Sequence, residues 1–195
     1  MSEGKVFVQV GAGRDGLDPY LGAARRRGMT AILAETPDHL RWRSVLGRSA
    51  FDAVVAVDHP ADPGELSAAI RALGVAPAVV LAGFERYVDS AYRAARALGA
   101  APSGQSPDFC SPYKRAQRTV MTNAAIPVRQ PRHGFADTLD DLETAAEGLS
   151  FPVVIKPDNG GGGLGVVMLA DRRDLPLARR ELGRLRNYDG GGFTG

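Results

Sequence analysis

FPVVIKPDNGGGGLGVVML, residues 151–169, is the most informative stretch of this 195-residue chain. It opens and closes with apolar, partly β-branched runs, Phe151–Ile155 and Val166–Leu169, which favour the two strands of a hairpin. Lys156 ends the first run. Five of the six residues at the tip between the runs are glycines, namely Gly160, Gly161, Gly162, Gly163 and Gly165.

The chemistry of this tip favours an anion. Glycines carry no Cβ, so their backbone N–H groups can turn inward and approach a phosphate closely, and φ > 0 costs them no steric strain. Lys156 adds a positive charge at the entrance, and the stretch therefore predicts a phosphate-binding loop. A flexible linker or an ordinary long turn is the alternative. The loop is not a Walker A motif, since that motif leads into a helix whereas Gly165 leads into a strand.

A second lysine lies upstream, in SPYKRAQRTVMTNAAIPV, residues 111–128. Ser111 is suited to be a helix N-cap with Pro112 at the first helical position, which predicts Lys114 at the third. A cation in the first turn gains nothing from the helix dipole unless an anion is nearby. A phosphate would interact favourably with both the lysine and the N-terminus of the helix. A solvated surface lysine is the alternative interpretation.

These two segments resemble the ATP-grasp superfamily, which includes biotin carboxylase, carbamoyl-phosphate synthetase and the amino-acid ligases. Residues 151–169 are similar to its glycine-rich loop. Residues 111–128 are similar to its lysine-containing helix and the Ala-Gly-Ile-Pro-Val turn that follows, from which Asn123-Ala124-Ala125 departs slightly. The resemblance implies that Lys114 and Lys156 contact the phosphates of ATP.

The resemblance also implies an activity. Enzymes of this family typically phosphorylate a carboxylate with ATP, and an amine or another nucleophile then attacks the acyl phosphate. The partners would be a small-molecule carboxylate and a nucleophile, with Mg²⁺ accompanying ATP. In the family the adenine hinge and the Glu and Asn ligands of Mg²⁺ lie further downstream, so no catalytic or metal residue is assigned here. The expectation is an incomplete ligase, silent by itself, or else a non-catalytic nucleotide-binding module.

The first hundred residues alternate predicted strands with predicted helices, which is typical of a doubly wound parallel sheet. Strands are expected over 5–10, 30–34, 51–57 and 78–81, and helices over 17–27, 38–46, 63–73 and 87–98. The predicted fold class is α/β, a parallel Rossmann-like sheet domain over 1–105 followed by a partial α+β ATP-grasp subdomain over 106–195. The boundary is placed in the Pro-, Gly- and Ser-rich stretch Ala100–Pro112.

A rival hypothesis comes from Gly11-Ala12-Gly13-Arg14-Asp15-Gly16, a G-x-G-x-x-G pattern that follows the first strand. Glu35 ends the second strand about twenty residues later, as in dinucleotide-binding proteins. An NAD(P)-dependent oxidoreductase would place pyrophosphate on the glycines and ribose hydroxyls on Glu35. Any tight strand-to-helix turn can use the same glycines, so the pattern alone is weak.

Polar residues follow the later strands of the predicted sheet. Asp58, His59 and Glu85 could line a substrate crevice at its carboxyl edge, but helix capping and solvated loops are favoured. Asp62 is expected to cap a helix, and Thr138 with Asp141 has capping-box spacing.

The composition of the chain argues against several classes of protein. The net charge is only +2 and gives no nucleic-acid footprint, while 44% apolar residues without a run near 20 argue against a membrane span. Cys110 is the only cysteine, so an intrachain disulfide is excluded. The amino terminus lacks a secretion signal and a cytoplasmic location is expected. The oligomeric state stays open.

Overall fold

The computed structural model describes residues 5–13, 18–48, 50–102, 113–125, 128–159 and 163–185. The chain divides into two compact units, Met1–Ser111 and Pro112–Gly195. Within these ranges no helix has both the length and the apolar composition needed to cross a membrane.

The described part of the first unit is a parallel sheet with helices between its strands, which confirms the predicted α/β class. The strands are β1 (Val6–Val10), β2 (Thr30–Glu35), β3 (Ala53–Ala56) and β4 (Pro77–Ala82). The helices are α1 (Pro19–Arg26), α2 (Pro37–Val45), α3 (Pro63–Ala72) and α4 (Val88–Ala97), the last preceded by a 3₁₀ turn, Glu85–Tyr87. The strand order is β3-β2-β1-β4, and the connection from β3 to β4 crosses over β2 and β1.

Local signals in the sequence explain where these helices begin and end. The Asp62 side chain accepts hydrogen bonds from the N–H groups of Gly64 and Glu65 and caps α3, as expected. Thr36 caps α2 in the same way, by accepting from the N–H of His39. Gly28 and Gly74 follow α1 and α3 with φ of 63° and 67°, a conformation that favours glycine.

Different helices pack on the two faces of the sheet. One core packs the β1 residues Val8 and Val10 against Leu66 and Ile70 of α3 and against α4. The opposite core packs Phe7 of β1 against α1. Because successive strand residues point to opposite faces, neighbouring residues of β1 enter different cores. The carboxyl ends of β1 and β4 meet where the strand order reverses.

The second unit is built around a hairpin and a helix. Its described elements are α5 (Lys114–Thr122), a 3₁₀ turn (Leu139–Asp141), α6 (Leu142–Ala145), β5 (Val153–Ile155), β6 (Val167–Leu169), a 3₁₀ turn (Arg172–Asp174) and α7 (Leu175–Arg184). Strands β5 and β6 pair antiparallel, which confirms the predicted hairpin. Their inner face packs on α7 through a core that contains Leu169, Leu175 and Ala178. Thr138 and Asp141 form the expected capping box.

Candidate functional site

Lys156 follows β5 directly and lies on the outer face of the hairpin. Val153 and Ile155 point inward to the core, so the alternation of a strand turns Val154 and Lys156 the other way. The Lys156 side chain is exposed. Within the described ranges it makes no hydrogen bond or ion pair. Its ammonium group is therefore available to an anion at the entrance of the glycine loop.

The described glycines of the loop adopt conformations that favour glycine. Gly163 has φ of 78° and Gly165 has φ of 72°. The N–H of Val166 donates to the carbonyl oxygen of Gly163 at 3.1 Å, which closes a turn just before β6. A Cβ at Gly163 would meet no atom within 4 Å, so backbone conformation rather than crowding favours glycine there. The predicted phosphate contacts of Gly160, Gly161 and Gly162 lie outside the described residues.

Lys114 begins α5, and Asp158 holds that end of the helix. The backbone carbonyl of Asp158 accepts from the N–H of Lys114 at 3.1 Å and from its Nζ at 3.2 Å. The Asp158 carboxylate accepts from the N–H of Arg115 at 2.7 Å. Since Asp158 lies two residues after Lys156, these bonds bring the entrance of the glycine loop to the helix that carries Lys114.

The expected helix register was wrong. Lys114 is the first helical residue, not the third, because Tyr113 is extended with ψ of 117° and stands at the N-cap position. Asp158 takes the place of a local cap by accepting from the first two N–H groups of the helix. The predicted cap Ser111 and the predicted first residue Pro112 lie outside the described residues.

The outer face of the hairpin also carries an exposed apolar pair that the sequence did not predict. Val154 of β5 is directly opposite Met168 of β6. Both are exposed, and Met168 is 71% exposed. They share the outer face with Lys156, so two exposed apolar side chains lie on the same face as this cation. The sequence could not reveal this, since β5 is apolar on both faces and only the fold shows which face is covered.

The dinucleotide fingerprint has a packing role where the structure describes it. Gly11 has φ of 79°, and a Cβ there would lie 2.7 Å from Cε2 of Tyr87 and 3.2 Å from Cβ of Phe84. The buried Glu35 carboxylate accepts from the N–H of Ala12 at 3.0 Å and from the N–H of Thr36 at 2.8 Å.

The Tyr87 ring and the Phe84 Cβ lie against Gly11, and two backbone N–H groups donate to the Glu35 carboxylate. The groups expected to meet a dinucleotide thus have partners within the protein. Residues Arg14, Asp15 and Gly16 of the fingerprint lie outside the described part. The geometry does not favour the oxidoreductase alternative.

The polar residues after β3 form a local pair. His59 donates its backbone N–H to Glu65 at 3.1 Å, and its Nδ1 lies 3.0 Å from the other Glu65 oxygen. The hydrogen bond from the His59 backbone lowers the pKa of Glu65. His59 lies in the exposed loop before α3 and Glu65 in the first turn of α3, which agrees with the favoured interpretation of capping and solvated loops. Glu85 is exposed in the turn that precedes α4.

No residue is assigned to a metal ion. Among the residues that the structure describes, no group of three or more His, Cys, Asp or Glu side chains could hold one.

The second unit thus brings the start of the helix that carries Lys114 to the segment that follows Lys156, at the entrance of the glycine-rich loop. Residues 113–181 match the family model described as the carbamoyl-phosphate synthase L chain, ATP binding domain. The segment contains Lys114, Lys156 and the whole glycine loop. This part of the chain is therefore similar to the ATP-binding domain of that family.

Individual proteins show the same similarity. The α subunit of mitochondrial methylcrotonoyl-CoA carboxylase from Arabidopsis thaliana is 33% identical over 62 residues, which are 32% of this chain and 8% of that protein. An L-amino acid ligase from Bacillus licheniformis has a TM-score of 0.68 and 22% identity, over 93% of this chain and 43% of its own.

Carboxyaminoimidazole ribonucleotide synthase from Aspergillus clavatus, in complex with ATP, has a TM-score of 0.66 and 18% identity. That match covers 93% of this chain and 45% of the other. The identities of both structures are low enough that they show the fold alone. The chain spans less than half the length of these proteins.

Proposed function

We propose that the second unit binds ATP with its phosphates held by Lys114, Lys156 and the glycine loop, Gly160–Gly163 with Gly165. The observation that carries this proposal is the contact of Asp158 with the start of α5. It joins the segment behind Lys156 to the helix that begins at Lys114. Two cations beside a glycine-rich turn suit a chain of phosphates, because each lysine supplies three donors and one positive charge.

The outer face of the hairpin would hold the nucleobase. Val154 and Met168 offer an exposed apolar surface beside Lys156. A purine ring buries apolar area when it lies on such a surface, and a methionine thioether adapts well to a flat aromatic group. Base and phosphates would then lie on one side of one hairpin.

The proposed parent activity is ATP-dependent ligation of a carboxylate to an amine or another nucleophile through an acyl phosphate. Lys114, Lys156 and the N–H groups of the loop would offset negative charge on the migrating phosphoryl group, which is electrostatic stabilisation. Mg²⁺ bound with ATP would neutralise the phosphates further. The match of residues 113–181 to that family model supports the reaction class. The carboxylate stays open among amino acids, peptides, bicarbonate and other carboxylic acids, and the nucleophile stays open as well.

The location and the domain boundaries are also proposals. A cytoplasmic location fits the use of ATP. The boundaries stay at 1–105 for the sheet domain and 106–195 for the ATP-grasp part.

Titration calorimetry with ATP tests the proposal on three lysine variants. Lys156→Ala and Lys114→Ala are each expected to weaken ATP binding at least about tenfold, since each removes a charged donor from the phosphates. Lys5→Ala is the matched control, because Lys5 is an exposed lysine of the other unit. Circular dichroism checks that all three variants fold.

Two results would refute the proposal. One is ATP affinity that is unchanged in both site variants. The other is NADH binding as tight as ATP binding and lost on replacement of Gly13 by a bulky residue, which would restore the oxidoreductase hypothesis. Trapping of an acyl phosphate with hydroxylamine, in the longest available form of the protein, separates a ligase from a module that binds ATP without turnover.

A further inference from the structure

Helix α2 is oriented opposite to the usual rule for a surface helix. Its buried residue is Arg43, while its apolar residues Trp42 and Val45 are exposed and Leu40 is half-buried. The Arg43 guanidinium pairs with Asp18 at 2.7 Å and lies 5.7 Å from the centre of the Phe51 ring. The inward side of α2 is thus held by a buried ion pair and a cation–π contact.

The outward side of α2 is an apolar face formed by Trp42, Val45 and Leu46. Trp42 is 62% exposed, Val45 is 73% exposed, and Leu46 is exposed as well. Spacings of three and four residues place them on one side of the helix. Val54 is exposed on β3, the edge strand of the described sheet next to α2. Single exposed apolar residues are common, but several on one side of a short helix, with a tryptophan among them, are typical of a protein–protein interface.

The charges at the two ends of this face indicate what covers it. Asp38 lies one turn before Trp42 on the same side, at the start of α2, and its side chain is exposed. Arg48 follows the helix at the other end and is exposed. The face is therefore acidic at one end, apolar in the middle and basic at the other. A second α2 helix that runs antiparallel presents the same order in reverse, so opposite charges meet at both ends.

We propose that two copies of this chain associate through the α2 face about a two-fold axis. Trp42 lies next to the midpoint between Asp38 and Arg48, so the two tryptophans pack near the axis. Asp38 of each copy then meets Arg48 of the second copy. This is an isologous interface, in which one surface pairs with itself. Asp38 also pairs with Arg41 within α2, but these side chains are 77% and 71% exposed, so this ion pair is weak and does not compete strongly for the carboxylate.

Sedimentation velocity over a range of protein concentrations tests the proposal on the full 195-residue chain. The wild type is expected to form a reversible dimer, which Trp42→Glu and Val45→Asp each abolish. Asp38→Arg alone and Arg48→Asp alone should each weaken it at least about tenfold, because like charges then meet at both ends. The double variant Asp38→Arg with Arg48→Asp should recover it. Leu177→Glu is the control, an exposed apolar residue of the second unit.

Tryptophan fluorescence gives an independent readout, because Trp42 is the only tryptophan. Its emission should shift to shorter wavelength as the protein is concentrated, and Val45→Asp should remove that shift. The proposal is overturned by a chain that stays monomeric, by a dimer that survives Trp42→Glu, or by a double charge reversal that fails to restore association. Blue-shifted emission that does not depend on concentration would mean that the same chain covers the face, and would also overturn it.

Discussion

The backbone carbonyl of Asp158 accepts hydrogen bonds from both the N–H and the Nζ of Lys114, at 3.1 and 3.2 Å. The two residues are 44 positions apart in sequence, yet this contact fixes the start of α5 against the segment that follows Lys156. A helix start usually draws its acceptors from residues just before it. Here the segment after β5 supplies them, so the position of Lys114 depends on the segment that also carries Lys156.

Asp158→Ala should lower ATP affinity several-fold, because α5 loses the acceptor for the N–H of Arg115. The loss of a capping acceptor costs about 1 kcal/mol, so a drop of a few degrees in melting temperature is expected alongside. Asp158→Asn is the matched control. Its amide oxygen can still accept that bond and it carries no charge to repel phosphate, so its ATP affinity should equal or exceed that of the wild type. Tighter ATP binding by Asp158→Ala would contradict the positioning role.

The apolar pair on the outer face of the hairpin predicts a difference between two ligands. Met168→Asn should weaken ATP binding about tenfold, since a base that lies on this surface loses apolar contact. Binding of inorganic tripolyphosphate should not change, because that ligand has no base. Lys156→Ala should weaken both ligands. Calorimetry with both ligands on both variants tests this difference. If Met168→Asn weakens the binding of ATP and of tripolyphosphate equally, the base does not lie on this surface.

The strands and helices of the first unit could be predicted because their signals are local. Short apolar runs marked β1 and β2, and Asp62-Pro63 marked the start of α3. The structure moves most of the expected boundaries by one or two residues. The register of α5 could not be predicted in the same way, since the acceptors that decide it come from Asp158. Local capping rules do not contain such a contact.

The site was predictable in part for the same reason. A lysine before a glycine run is visible in the sequence, and Lys156 is indeed exposed in the structure. The exposure of Met168 could not be predicted from the sequence, because β5 and β6 carry apolar residues on both faces. Only the fold shows that α7 packs on one face and leaves the other exposed. Gly11 and Glu35 matched the dinucleotide-binding motif in sequence. In the folded chain Gly11 lies against Tyr87, and Glu35 accepts a hydrogen bond from Ala12, and neither contact could be predicted from the motif.

Gly11→Ala should destabilise the first unit without changing the measured affinity for NADH. The added methyl would meet Tyr87 and Phe84 in a conformation already strained for alanine, so a loss of about 3 kcal/mol is expected. Gly74→Ala is the matched control, with φ of 67° and no atom within 4 Å of the added Cβ. It should cost only the strain, about 1 kcal/mol. Urea denaturation measures both. Equal losses in the two variants would remove the packing role assigned to Gly11.

The buried pair under α2 predicts an asymmetry between breaking it and removing it. Arg43 and Asp18 side chains are 10% and 7% exposed, and the Nε2 of Gln9 lies 3.3 Å from Asp18 as a second donor. Asp18→Ala leaves the guanidinium buried without a carboxylate and should cost about 3 kcal/mol or more.

Adding Arg43→Met to that variant removes the unpaired charge while keeping apolar volume, so part of the lost stability should return. The control is Asp89→Ala, which breaks a more exposed pair with Arg93 and should cost no more than about 1 kcal/mol. The three unfolding free energies from urea titration test this order. If the double variant is less stable than Asp18→Ala alone, Arg43 stabilises α2 through its packing on Phe51 more than through its charge.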